Sequence, residues 1–340
     1  MGVRHLDGVP LMPGSTLLAL GLTLFSPPLF STAPVDHDTL PKALAARNIE
    51  APPGFKAMVI ALPPEGLDAR IYDYEGTGED RRGWWPASTV KLYAALAALE
   101  VAESHGFSAK ARVGFGGSNK AVKLSWLVRK TLIHSHNRTF DRLGQIAGPR
   151  YTHTQLLNTA RGLDKVLLAE GYSFDISGFD LTWAPKVTFL EGSKRKALPE
   201  RRFSPSRRCG QRNCTSVGDL VRAMALVMLH DDLPDDQRLA LSDASIALLK
   251  DALGDPARKR GLGVAKALKR AFRSKGRTLK VWHKPGFYPS WRSDVLYAED
   301  TRSGERWLVG LAGRGGRDAL NEVAYGVGLF MQQHDLEGQR

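Results

Sequence analysis

Cysteine is almost absent from this chain. Two occur in 340 residues, Cys209 and Cys214, both within RRCGQRNC. Two cysteines without a neighbouring histidine cannot complete a four-ligand zinc site, so no metal is expected. Long apolar runs are missing too. The longest near the start, residues 16–25 (TLLALGLTLF), is about half of what a membrane-crossing helix needs. It follows Arg4 and His5 and precedes the small residues Ser31, Thr32 and Ala33. Residues 1–33 therefore read as an export signal cleaved ahead of Pro34, with an uncleaved anchor or a loose tail as the alternatives. No cysteine lies near that cut, which argues against a lipid anchor. No later stretch is apolar enough to cross a membrane. Export to an oxidising periplasmic or extracellular space makes a Cys209–Cys214 disulfide the expected state, the alternative being two free thiols. There is no internal repeat. The histidines His105, His153, His230 and His283 form no Ser/His/Asp grouping, and His283 reads as a packed strand residue, the alternative being that it tunes the neighbouring Lys284.

Acidic residues are in deficit: 35 Asp and Glu stand against 48 Lys and Arg, a net charge of +13. Much of the excess lies in residues 194–212 (KRKALPERRFSPSRRCGQR) and 258–280. Such a balance can mark a nucleic-acid binder. An export signal points away from nucleic acid and towards contact with an anionic cell envelope, or simply a solvated surface.

What is present is globular: 43% hydrophobic and 8% aromatic residues, too apolar for a disordered chain. Residues 55–62 (FKAMVIAL) and 67–74 (LDARIYDY) read as two strands. Residues 88–103 (STVKLYAALAALEVAE) are rich in the strongest helix formers, with Pro86 just ahead. Helical patterns follow at 123–134, 139–147 and 154–160. Residues 172–214, with Pro185, Pro199 and Pro205, look irregular. Ser216 and Asp219 resemble a capping box, ahead of Leu220, Val221, Met224, Val227 and Met228 at helical spacing. Another helix is expected over 242–253. Strands return at 278–284, 294–299 and 306–312, the last two joined through TRSG, and a helix carries Leu320, Val323, Ala324, Val327 and Phe330.

This order predicts an α/β (α+β) domain over 34–340. An antiparallel five-stranded sheet flanked by helices would form one lobe, from about 50–87 and 215–340. An all-helical lobe would span about 88–214, with the site in the cleft between the two.

Three short motifs carry chemistry. Ser88-Thr89-Val90-Lys91 places a hydroxyl and an amine three residues apart, on one helical face. A serine is a weak nucleophile without a base beside it, and a neutral lysine can be that base. At a helix start the serine's own N–H is unpaired and suits a developing oxyanion. Ser135-His136-Asn137 offers a second hydroxyl as a proton relay and an amide that donates and accepts. Lys284-Pro285-Gly286 follows the apolar run TLKVWH. Its lysine can hold a substrate carboxylate, Gly286 can let a substrate backbone approach, and the N–H of Phe287 can be the second oxyanion donor. Pro285 lacks an N–H, so this should be an edge strand.

In that order, and on those elements, the set resembles the class A β-lactamase and penicillin-binding protein family, defined by S-x-x-K, S-x-N and K-x-G motifs. WPASTVKL around Ser88, CTSVGDL before a helix and the WLVGLAG strand add to the likeness, which spans about residues 50–335. The resemblance implies that Ser88 is acylated and that Lys91 is its base or relay. Ser135 would pass a proton to the leaving nitrogen, Asn137 would bind the substrate amide, and Lys284 would bind its carboxylate. No cofactor is implied. The substrate would be a β-lactam or a cell-wall-like peptide. Two further readings are a slowly turning over binding or sensor module, and a general esterase or peptidase. The chain departs from the family at His136, where an acidic residue is usual, and at Pro285, where a hydroxyl residue is usual. It also lacks the E-x-x-x-N loop that positions the deacylating water. Glu191 and Glu200 are the candidates for that base, and slow turnover is expected.

Overall fold

Apolar runs at the two ends of the chain build the central sheet. In the computed structural model, which describes residues 27–116, 120–158, 161–168, 170–173, 183–203, 213–254, 263–316 and 318–334, the first elements are β1 (Val35–Asp36), α1 (Thr39–Ala45), β2 (Lys56–Leu62) and β3 (Arg70–Asp73). The C-terminal part contributes β10 (Leu279–Tyr288), β11 (Trp291–Asp300) and β12 (Arg306–Arg314). The order across the sheet is β1-β3-β2-β12-β11-β10. All neighbours are antiparallel except β1, which runs parallel to β3. The sheet thus has the five expected strands plus the two-residue β1. β10 lies at the edge, where Pro285 costs no ladder bond on its open side.

Both faces of this sheet are covered, which explains why β2 is buried at every position. Alternate residues face opposite layers. Ala57, Val59, Ala61, Leu296, Trp307 and Val309 pack with α1, α8 (Val264–Arg273) and α9 (Asn321–Gln333). Met58, Ile60, Val295, Tyr297 and Leu308 face the other core, which contains α2 (Lys91–Ser104) and α6 (Val217–Met228). α6 is capped as the sequence suggests: Ser216 Oγ accepts the N–H of Asp219 at 2.9 Å. The reciprocal half of a capping box is replaced by an ion pair from Asp219 to Arg222. The cations of α8 (Lys266, Lys269, Arg270 and Arg273) line its exposed side at helical spacing.

The second lobe is not purely helical. Besides α3 (Leu124–Ile133), α4 (Asn137–Ala147) and the single turn α5 (Pro149–Tyr151), it holds β4 (Arg112–Phe115), β5 (Ala121–Lys123), β7 (Val187–Glu191) and β8 (Lys194–Leu198). These four form a small antiparallel sheet in the order β5-β4-β7-β8, and β6 (Trp183–Ala184) pairs with β9 (Arg201–Arg202). β4 and β5 are too short to show a period. β7 does alternate: Val187 and Phe189 are fully buried, and Gly192 turns the chain into β8 at φ +58°. Its strand β8 is mostly exposed Lys and Arg, a composition that blunts a sheet edge and hides the strand in the sequence. α7 (Asp243–Gly254) fills the expected position.

The segment 27–33, placed by its sequence within the export signal, packs on the folded body. Leu29 is only 5% exposed within the main core. The carbonyl of Pro27 accepts from Gln237 Nε2 at 2.8 Å. With Leu29 and Phe30 over Met58, Ile60 and Ile71, this segment closes one side of the sheet ahead of β1.

Candidate active site

The nucleophile candidate sits on a strained turn. Pro86, Ala87 and Ser88 lead into a 3₁₀ turn (Ala87–Val90) that runs on into α2 at Lys91. Ala87 takes φ +49°, a left-handed conformation that costs a non-glycine residue about 1–3 kcal/mol. Three bonds hold it there. The Pro86 carbonyl accepts from Thr89 Oγ1 at 2.6 Å and from Ser293 Oγ of β11 at 3.0 Å. The Ala87 carbonyl accepts from Tyr172 OH at 2.8 Å. Ser88 therefore opens on a 3₁₀ turn, one step before the α-helix proper, and lines a cleft of about 340 Å³ with Trp85, Asn137, Glu170, Tyr172 and Phe287.

Lys91 is fully buried. Burial pushes its amine down to about 7, against a smaller opposing effect from Asp141. Its Nζ donates to Asn137 Oδ1 at 2.6 Å, to the Ser135 carbonyl, and more weakly to Ser135 Oγ at 3.4 Å. Lys284 is also fully buried. Its Nζ donates to Ser135 Oγ at 2.9 Å and to the Pro285 carbonyl at 2.9 Å. Ser135 Oγ thus lies between two lysine amines. Ser135 itself is held at φ +53° in the α3–α4 link. His136 is exposed and caps α4, its Nδ1 accepting the N–H of Thr139 at 3.3 Å. The departure from the family at that position is therefore a helix cap that leaves Ser135 and Asn137 in place.

Gly286 packs closely against the nucleophile turn. A Cβ there would strike Ser293 Oγ and come within 2.7 Å of the Pro86 carbonyl. The glycine lets β10 press against that turn. This sets Phe287, the next residue on β10, at the rim of the same cleft.

The loop facing Ser88 is pinned at several points. Leu167 and Cys214 exchange backbone bonds at 2.8 and 2.9 Å. Asn213 clamps Glu170, accepting from its N–H at 3.1 Å and donating to its carbonyl at 3.0 Å. The fully buried Asp141 accepts the N–H groups of Tyr172 and Ser173, both at 2.7 Å. These bonds hold Glu170 at the cleft wall. Among the described residues that line the cleft it is the one carboxylate.

Neither a family model nor a curated protein matches the sequence. Solved structures do. A β-lactamase from Xanthomonas campestris pv. campestris aligns with a TM-score of 0.56 at 15% identity, over 87% of this chain and 97% of that one. A mutant of the reconstructed last common ancestor of Gram-negative class A β-lactamases aligns with a TM-score of 0.58 at 17% identity, over 87% and 99%. A class A β-lactamase representative from Bacteroides cellulosilyticus aligns with a TM-score of 0.56 at 14% identity, over 90% and 99%. The chain has the class A β-lactamase fold. At such identities the likeness is one of architecture, and the chemistry rests on this chain's own residues.

Of the residues singled out from the sequence, Ser88, Asn137 and Phe287 line the cleft, and Lys91, Ser135, Asn137 and Lys284 share one hydrogen-bond network beneath it. Glu191 and Glu200 do not join them. Glu191 caps the loop before β4, accepting the Ser108 N–H at 2.8 Å and its hydroxyl, and these bonds lower its pKa. Glu200 pairs with Arg202 at 2.7 Å on the surface. Cys209 lies outside the described residues. Cys214 is buried beside Leu167. Glu170 was the residue missed. The family's loop keeps its asparagine four residues from the glutamate, whereas Glu170 is clamped by Asn213, 43 residues away. A search for local spacing cannot see that pair. Its sequence signal is the lone acid in LLAEGYSF, between apolar stretches.

Proposed function

We propose that this chain is a serine hydrolase that works through an acyl-enzyme, acting on a β-lactam or a related amide or ester. The observation that carries this reading is Lys91: a wholly buried amine lowered to about 7, one turn from a serine on a strained helix entry. A lysine in this state is substantially neutral at physiological pH and can act as a base. In the proposed reaction Ser88 Oγ attacks the acyl carbon and its proton passes to Lys91. The N–H groups of Ser88 and Phe287 receive the oxyanion. Ser135, between the two lysines, delivers a proton to the leaving group and recovers one from Lys91. Asn137 Oδ1 already accepts from Lys91, which leaves its Nδ2 for the substrate's amide carbonyl. Lys284 holds the substrate carboxylate end. Glu170 is assigned the deacylating water, the task for which the sequence offered only Glu191 and Glu200. A glutamate whose backbone is clamped at the cleft wall favours complete turnover over a persisting acyl-enzyme.

We also propose export, with cleavage ahead of Pro27 rather than at Pro34, because removing Leu29 would open the core. A Cys209–Cys214 disulfide belongs to the same reading. One experiment tests all of these. Intact mass of exported protein, taken before and after a penicillin or a fluorophosphonate, is expected to show one adduct, absent in Ser88→Ala. Glu170→Gln is expected to keep the penicillin adduct that wild type sheds. Equal labelling of wild type and Ser88→Ala refutes the serine mechanism. A chain beginning at Pro34, or alkylated by iodoacetamide without reduction, refutes the maturation scheme.

A further inference from the structure

The reacting carbon must lie at Ser88 and the N–H of Phe287, and β10 gives the substrate a direction there. The strand runs from Lys284, whose amine touches Ser135, through Gly286 against the nucleophile turn, to Phe287 and Tyr288. The proton donors for a leaving group sit at the Lys284 end. The acyl part of the substrate must then extend towards Tyr288, about 13 Å along the strand from Lys284 at ~3.3 Å per residue.

That end of the cleft is walled with rings. Trp85 stands 5.4 Å from Tyr288, at an interplanar angle of 42°, and 6.5 Å from Tyr172, at 32°. The three come from separate segments: the nucleophile turn, the pinned loop and the end of β10. One of them is fixed from behind. The Tyr172 ring rests on Phe140 at 4.9 Å, and its hydroxyl is committed to the Ala87 carbonyl. Tyr288 is 39% exposed, a large apolar ring left open on one side. The guanidinium of Arg292 stacks on the Phe287 ring at 3.8 Å, so that ring already has a partner. Among the described residues that line the cleft, Glu170 is the one charged residue, and it disfavours an anionic acyl group.

Resting on the acyl-transfer reading above, we infer that Trp85, Tyr172 and Tyr288 form an acyl-side pocket for a flat aromatic group, so that the preferred substrates are amides or esters of an uncharged arylacyl group. Offset and tilted ring pairs gain energy beyond the area they bury, and a rigid pocket loses little on ordering. Small acyl groups leave the wall wet, and charged peptide side chains meet Glu170. Trp85 is here a specificity residue.

The test uses p-nitrophenyl phenylacetate and p-nitrophenyl acetate, which share a leaving group. After correction for their uncatalysed rates, kcat/KM is expected to favour the phenylacetyl donor by about tenfold or more. Trp85→Ala is expected to bring the ratio to within about twofold, and Trp85→Phe to keep most of it. Binding is measured separately in Ser88→Ala, which cannot be acylated. There N-phenylacetylglycine is expected to bind more tightly than N-acetylglycine, and the added Trp85→Ala change is expected to remove the difference. Equal handling of the two donors, or a ratio that survives Trp85→Ala, overturns the pocket. Failure of Ser88 to take a fluorophosphonate label overturns acyl transfer instead, and the Ser88→Ala binding ratio then decides the pocket on its own.

Discussion

Helix α2 buries a charged residue near each end, and the two ends are built on opposite principles. Glu100, fully buried, is met by Arg161 through two parallel bonds of 2.8 Å and also accepts the N–H of Ala240 at 2.9 Å. Its charge is answered by a charge. Lys91, equally buried and nine residues earlier, donates only to a carbonyl, a hydroxyl and an amide oxygen. No carboxylate is among its hydrogen-bond partners, and Asp141 acts on it only through the field. Burial then has nothing to oppose it but a modest attraction, and the amine moves towards its neutral form. One end is satisfied and holds the lobes' connections in place. The other has its amine pushed towards the neutral form, the state on which the proposed chemistry rests.

The largest effect should come from breaking the end that has no bonded counter-charge. Lys91→Met keeps the apolar stem and removes the base. Acylation of Ser88 by any donor is expected to fall by a factor on the order of 10⁴, while the folded protein is retained. Single-turnover labelling with a fluorescent penicillin measures the rate, and circular dichroism checks the fold. Acylation within about tenfold of wild type would show that Lys91 is a structural lysine like any other buried one.

The satisfied end should respond in the opposite sense. Glu100→Ala strands Arg161, whose side chain is only 16% exposed, and frees the N–H of Ala240. The expected cost is about 3–5 kcal/mol of folding stability, read as a lower denaturant midpoint. The acylation rate of the molecules that remain folded should be close to wild type. A Glu100→Ala protein that is stable but slow would mean that the charge pair serves the site and not the fold.

The contrast between the two ends was only half legible in the sequence. STVK announced itself because a hydroxyl and an amine three residues apart need no tertiary information to be brought together. The same holds for β2, whose unbroken apolar run declares a strand covered on both faces, and for Pro285, which confines its strand to an edge. Glu100 carried no signal, because its partner Arg161 lies in a loop 61 residues away. Glu170 was hidden for the same reason, its clamp Asn213 being remote in sequence. β7 did alternate, but the cations of β8 and the flanking prolines made the hairpin read as loop. Residues 27–33 show the converse case. Small residues there spell a cleavage point, and only packing reveals that Leu29 is part of the core. What the sequence conveys well is local chemistry and local periodicity. What it conceals is pairing across the fold.

The smallest effect is a dependence on pH, and its sign tests the Lys91 end directly. In the folded protein Lys91 titrates at about 7, whereas in the unfolded chain it should return to the ordinary 10.5. Below pH 7 the amine is charged in both states, and the cost of burying that charge is fully present. Between about 7 and 10.5 the unfolded chain holds a proton that the folded one has released, so wild-type stability rises with pH across this window. Above it, both states are neutral and the slope vanishes. Lys91→Met removes the group from both states. Its stability gain over wild type is therefore expected to be largest near pH 6 and to shrink steadily as pH climbs towards 10, by an amount on the order of a few kcal/mol in all. Parallel urea titrations of the two proteins at pH 6, 7.5 and 9 measure it, the difference between them cancelling every other titrating group. A gain that is flat with pH would place the Lys91 amine at its ordinary value and remove the physical basis for its role as the base.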